Sequence, residues 1–102
     1  MTKLVIDTTD NKKTIVELHL KGKIDKITEE SIPRSQNTLV IVERLLNKNG
    51  VKPNEIEEIE VNTGPGSFTG TRVGVAIANA LGFGLGVRVN GSKIKQATPE
   101  YF

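Results

Sequence analysis

The sequence predicts an α/β domain on a five-stranded mixed sheet, in the order β-β-β-α-β-α-β. Three observations carry that expectation. Residues 14–21 alternate, with Thr14, Val16, Leu18 and Leu20 on one side and Ile15, Glu17, His19 and Lys21 on the other, as in a strand with one buried face. Residues 59–89 run from Ile59-Glu60-Val61-Asn62 through a glycine turn and a long apolar segment to Val87-Arg88-Val89. Strand, turn, helix, strand is a βαβ unit, whose crossover is right-handed. Between these segments, Leu39, Val42, Leu45 and Leu46 fall on one helical stripe, with Ile41 at its margin.

Taken in order, Leu4-Val5-Ile6 with Asp7-Thr8-Thr9 reads as a buried strand ending in polar residues, and Asp10-Asn11 as a turn. Lys21-Gly22 joins the alternating strand to a third one, residues 23–29, whose scattered charges suit a sheet edge. Ile32-Pro33-Arg34 breaks the chain, Ser35 offers an N-cap, and Gly50 ends the first helix. Val40 points away from the stripe, which marks either a tolerated surface valine or a second contact surface. A connector with one helical turn after Asn54 leads to the fourth strand, residues 57–62. Asn90-Gly91-Ser92 is a turn, and residues 93–102 have no period, so a domain of residues 1–92 with an extended or disordered tail is expected.

The second helix has two unusual features. Gly70, Gly74, Ala78, Gly82 and Gly86 recur every four residues, so one row has almost no side chain. Each glycine inside a helix costs about 1 kcal/mol relative to alanine, so close packing must offset it. The helix is also apolar nearly all round. Val73, Ile77, Leu81 and Leu85 lie beside the glycine row, and Arg72, Val75, Ala76, Asn79 and Phe83 on the other side. A helix on a single sheet buries one face, so the second face expects cover from another chain. The uncharged run is too short for the roughly 20 residues that span a membrane.

These residues carry a resemblance. Gly64-Pro65-Gly66-Ser67-Phe68-Thr69-Gly70, then Arg72-Val73-Gly74-Val75-Ala76 and Ala80-Leu81-Gly82, resemble the signature of the TsaB family, and Leu4 to Thr9 and Arg34-Ser35-Gln36 agree with its opening strand and first helix. The resemblance covers about residues 3–90. It implies a single ribonuclease-H-like domain of the actin/Hsp70 type. It also implies a non-catalytic, cytoplasmic subunit for making threonylcarbamoyl adenosine in tRNA, related to the glycoprotease-like catalytic subunit. Family members have two tandem domains of similar fold, with nucleotide in the cleft between them, whereas this sequence ends just past the first.

Composition narrows the chemistry. At 102 residues one domain is expected, and a chain this short gains from oligomerisation. With no cysteine there is no disulfide, thiolate zinc site or cysteine nucleophile, which fits a reducing compartment. The apolar segment before Thr9 is too short for a signal peptide. A net charge of +2 is weak, although Arg72, Arg88, Lys93 and Lys95 face only Glu100 in the last forty residues. Dedicated nucleic-acid domains are more basic and more concentrated.

Two stretches could bind phosphate. In the glycine loop, Gly66, Ser67 and Thr69 offer backbone and hydroxyl donors at a helix start. No lysine stands where a Walker-type loop needs one, so the loop reads equally as a tight turn for close packing. Asp7, Thr8 and Thr9 match, by the resemblance, the strand end that holds metal–phosphate in related ATPases. His19 is the only histidine and reads as a solvated strand residue. The expectation is therefore no catalytic residue, no metal and no cofactor. Two rival readings are a small ATP-binding or protease-like enzyme and a tRNA-binding module. The expected contact residues are Val40, Arg72, Val75, Ala76, Asn79 and Phe83. The resemblance implies that they meet a second copy or the catalytic threonylcarbamoyl transferase subunit, with the ATPase subunit in the same complex and tRNA touched only indirectly.

Overall fold

The computed structural model describes residues 1–91. The elements follow the expected order: β1 Lys3–Asp7, β2 Thr14–Leu20, β3 Lys23–Glu29, α1 Ser35–Lys48, β4 Glu58–Val61, α2 Phe68–Leu85 and β5 Arg88–Val89, with a 3-10 turn at Pro53–Glu55. The five strands lie in the order β3-β2-β1-β4-β5. β1, β2 and β3 form an antiparallel meander, and β4 joins β1 and β5 in parallel. The expected tail, residues 93–102, lies outside the described residues, as does Ser92 at the end of the expected domain.

Register builds the core. Leu4 lies beside Leu18 and Ile59, and Ile6 beside Val16 and Val61. With a side-chain period of two, all six point to one face, and all six are buried. Each such burial contributes about 1.5–3 kcal/mol. Both helices cover this face, α1 over β2 and β3 and α2 over β1, β4 and β5. The opposite face stays open, carrying half-buried Val5 and Ile15 and the pairs Glu17–His19 at 2.7 Å and Lys3–Glu60 at 3.4 Å.

The stripe of α1 differs from the expected one. Its buried residues are Thr38, Ile41, Val42, Leu45 and Leu46, while Leu39 is 45% exposed. Ile41 belongs at the centre of the stripe, and Leu39 joins Val40 on the outside. The cap also shifts by one residue. Ser35 is already helical, and Asn37 Oδ1 reaches back to accept from the Arg34 N–H at 2.9 Å. The C-terminal end is as expected, with Gly50 at φ +65°.

The edge strand is tied down by side chains from the end of α1. Asp25 accepts from the Asn49 amide at 3.0 Å and pairs with Lys48 at 3.3 Å, and Lys23 donates to Asn49 at 3.0 Å. Arg44 pairs with Glu29 at 3.5 Å. At the far edge, β5 starts one residue later than expected. The Val87 N–H donates to Gly82 O at 3.0 Å and so completes the end of α2. No helix of the described residues is long and apolar enough to cross a membrane.

Candidate functional site

The glycine row of α2 faces inward, onto the end of β1. Gly70, Gly74, Ala78 and Gly82 are all buried. A β-carbon on Gly70 would strike the Thr8 carbonyl oxygen, and one on Gly74 would strike the Thr8 hydroxyl. One on Gly66 would lie 2.6 Å from Thr9 Cβ. The row therefore lets backbone meet backbone, and the Thr8 hydroxyl donates to Gly70 O at 2.6 Å across the contact. Gly86 has a different job: it ends the helix in the left-handed region at φ +70°.

The polar residues of β1 and the loop are engaged with one another. Asp7 Oδ1 accepts from the Thr9 N–H at 3.0 Å and the Thr9 hydroxyl at 2.8 Å, and Asp7 Oδ2 accepts from the Asn62 amide at 3.2 Å. Asn62 Oδ1 accepts from the Gly64 N–H at 3.0 Å. The Ser67 N–H donates to Thr9 O at 2.8 Å, and Ser67 Oγ caps α2 by accepting from Gly70 N–H at 3.3 Å. Thr69 is exposed on the first turn of α2. So Asp7, Thr9, Gly66 and Ser67 do come together, as a network that sets the loop against β1. Three of the loop's N–H groups, those of Gly64, Ser67 and Gly70, already have acceptors. Among the described residues, no three His, Asp or Glu side chains gather closely enough to hold a metal ion.

The outer surface of the two helices is the second candidate. Phe83 is 85% exposed, and Val40 and Phe68 are each 56% exposed. Ala76 and Ala80 are also exposed, and Asn79 is half-buried. Between α1 and α2 runs a groove of about 570 Å³, lined by Leu39, Phe68, Arg72, Ala76 and Leu81 among others. Arg72 lies over the Phe68 ring, 5.3 Å from its centre, and among the described residues it has no carboxylate partner.

One expected contact residue is corrected. Val75 does not lie outside with Arg72 and Ala76; it is 4% exposed and part of the core. With the glycine row seated on β1, the inward arc runs Thr71, Gly74, Val75, Ala78 and Gly82, which draws Val75 against the sheet. Three residues of the surface were not expected: Leu39, Phe68 and Ala80. The run Leu39 to Val42 carried a signal, because four consecutive apolar residues exceed the width of one buried helical stripe and some of them must lie outside it.

Comparison with known proteins agrees with this architecture. A family model described as TsaD, tRNA N6-adenosine threonylcarbamoyltransferase, matches residues 29–92. "Uncharacterized protein MG208 homolog" of Mycoplasma pneumoniae is 42% identical over 82 residues, 74% of this chain and 40% of that protein. The tRNA threonylcarbamoyladenosine biosynthesis protein TsaB of Bacillus subtilis is 34% identical over 91 residues, 88% of this chain and 40% of that one. The structure of YeaZ from Pseudomonas aeruginosa superposes with a TM-score of 0.80 at 33% identity, over 86% of this chain and 41% of YeaZ. The chain thus spans about 40% of the length of these relatives. The sheet order, the paired helices on one face and the glycine turn define a ribonuclease-H-like domain of the actin/Hsp70 type. The chain belongs to the TsaB family.

Proposed function

We propose that this chain is a non-catalytic scaffold in the cytoplasmic formation of threonylcarbamoyl adenosine in tRNA. Its α1–α2 face binds the catalytic threonylcarbamoyl transferase subunit or a further copy of the chain, and so holds that enzyme and the ATPase subunit together. The observation that carries this reading is the outer face itself. Phe68 is more than half exposed in the lining of a groove floored by alanine and leucine, and Val40 and Phe83 are more than half exposed on the same two helices. Exposed apolar patches flanking a groove of this kind mark protein contacts. The name of the Bacillus subtilis relative supports the pathway. The engagement of Asp7 with Thr9 and Asn62 supports a structural role for the strand end where an ATPase would hold metal and phosphate.

Size exclusion with light scattering tests the proposal, with and without the transferase of the same organism. Ala76→Arg and Phe83→Asp abolish association while circular dichroism stays that of the folded chain. Association that survives both variants refutes the face. Heat released on titrating the chain with Mg-ATP would favour the enzyme reading instead.

A further inference from the structure

We infer that residues 92–102 of this chain lie across the open face of the sheet, with Ile94 seated on Val5 and Ile15 and with Lys93 and Lys95 against the carboxylates around them. This face is the one opposite the helices, so the inference does not rest on the scaffold reading.

The two halves of the sheet differ in what they need. β1, β2 and β3 run antiparallel, and an antiparallel sheet can leave one face to water. β1, β4 and β5 run parallel, and parallel sheets are covered on both faces. Among the described residues, both helices lie on the same face and no element covers the other.

That uncovered face is not evenly polar. Val5 stands in the middle strand, half-buried, between Glu17 of β2 and Glu60 of β4. Ile15, also half-buried, stands beside Asp7 in the next row. Together these residues line a cavity of about 520 Å³. Its lining carries three carboxylates and one ammonium, that of Lys26. Glu17 pairs with His19 and Glu60 with Lys3, but among the described residues Asp7 meets only neutral donors, from Thr9 and Asn62.

The chain leaves the described fold at this cavity. Asn90 lines it, anchored by its N–H to Ile59 O at 2.8 Å. Asn90 and Gly91 have φ of +54° and +71°, and two successive positive φ values turn the chain out of the strand direction. β5 lies two strands from β1, about 10 Å across the sheet. Four residues of extended chain reach about 13 Å, which carries Ile94 from Asn90 to Val5. Lys93-Ile94-Lys95 then sets one apolar side chain over Val5 and Ile15, and the lysine stems reach to the rim. The segment is positive where the cavity is negative. Attachment a few residues away also gives it an effective concentration at this face that a separate molecule lacks.

Paramagnetic broadening in the full chain tests this. The sequence has no cysteine, so Ala97→Cys carries a single nitroxide. The label broadens the amides of Val5 and Glu17 more strongly than those of Val40 and Glu43 on the outer side of α1. Ile94→Asp, or Lys93→Glu together with Lys95→Glu, cuts that broadening about twofold or more, and circular dichroism shows the fold kept. In a mixture of nitroxide-bearing chain with isotope-labelled chain that bears none, the broadening vanishes. Broadening no stronger on β1 and β2 than on α1, or unchanged in both variants, overturns the inference. Broadening that persists in the mixture assigns the face to a second molecule and overturns it as well.

Discussion

The Thr8 hydroxyl occupies the space where a β-carbon on Gly74 would lie, and it is fixed there by donating to Gly70 O at 2.6 Å. Thr8 cannot rotate away without giving up that buried hydrogen bond. Gly74→Ala therefore gains helix propensity yet destabilises the fold by about 1–3 kcal/mol through overpacking. In a Thr8→Ala background the same substitution is close to neutral, because the obstruction is gone. Urea unfolding of the four proteins in this cycle yields a coupling of at least about 1 kcal/mol.

Gly84 is the contrasting case. It lies in the same helix but faces outward, with nothing within 4 Å of where its β-carbon would be. Gly84→Ala stabilises the chain by about 0.5–1 kcal/mol, since it removes freedom from the unfolded chain and meets no obstacle. Thermal melts of Gly84→Ala and Gly74→Ala should move in opposite directions.

Asn90 acts as a short extra strand. Its side-chain oxygen accepts from the Val61 N–H at 2.7 Å, and its amide donates to Val61 O at 3.0 Å. Its backbone sits in the left-handed region at φ 54°. Asn90→Ala loses both hydrogen bonds and strains the backbone, with an expected cost of about 2–4 kcal/mol. Asn90→Gly loses the hydrogen bonds alone, so it falls between the parent and the alanine variant in denaturant midpoint.

Asp25 makes stability depend on pH. The Asn49 amide, helped by Lys48 and the Lys26 N–H, holds its carboxyl below the ordinary value of 3.8, and burial opposes this only in part. A carboxylate with a depressed folded-state pKa contributes stability that is fully present above the unfolded value. That contribution is lost as pH falls through the folded value. Chemical denaturation near neutral pH should find Asp25→Asn less stable than the parent. At about pH 2 the gap between the two should close.

Most of the architecture was legible because its signals are local. The alternation of β2, the turn at Lys21-Gly22 and the glycine end of α1 each lie within a few residues, whereas Gly86, which ends α2, read as part of the close-packing row. The phase of the helices was harder to read. In α1 the first member of the buried stripe is Thr38, fully buried but polar by type, so the apolar pattern in the sequence begins one residue late, at Leu39. In α2 almost every side chain is apolar or absent, and periodicity has no polar side from which to take its bearing. The contact that fixes its rotation is Thr8 against Gly70 and Gly74, more than sixty residues away in the chain. Hence Arg72, Ala76 and Phe83 were placed outside correctly, while Val75 was not.

The close seating of α2 also shapes the surface above it. α1 stands on Ile41, Val42 and Leu45, whereas the first turns of α2 meet the end of β1 through Gly70 and Gly74, and the distance between packed elements follows the bulk of the side chains between them. The start of α2 is thus held close to the sheet, and the groove runs beside it. The shape offered to a partner is set from underneath. Small residues that no partner can touch decide how close α2 lies to the sheet, and a change hidden beneath it could retune recognition without altering a single contacting atom.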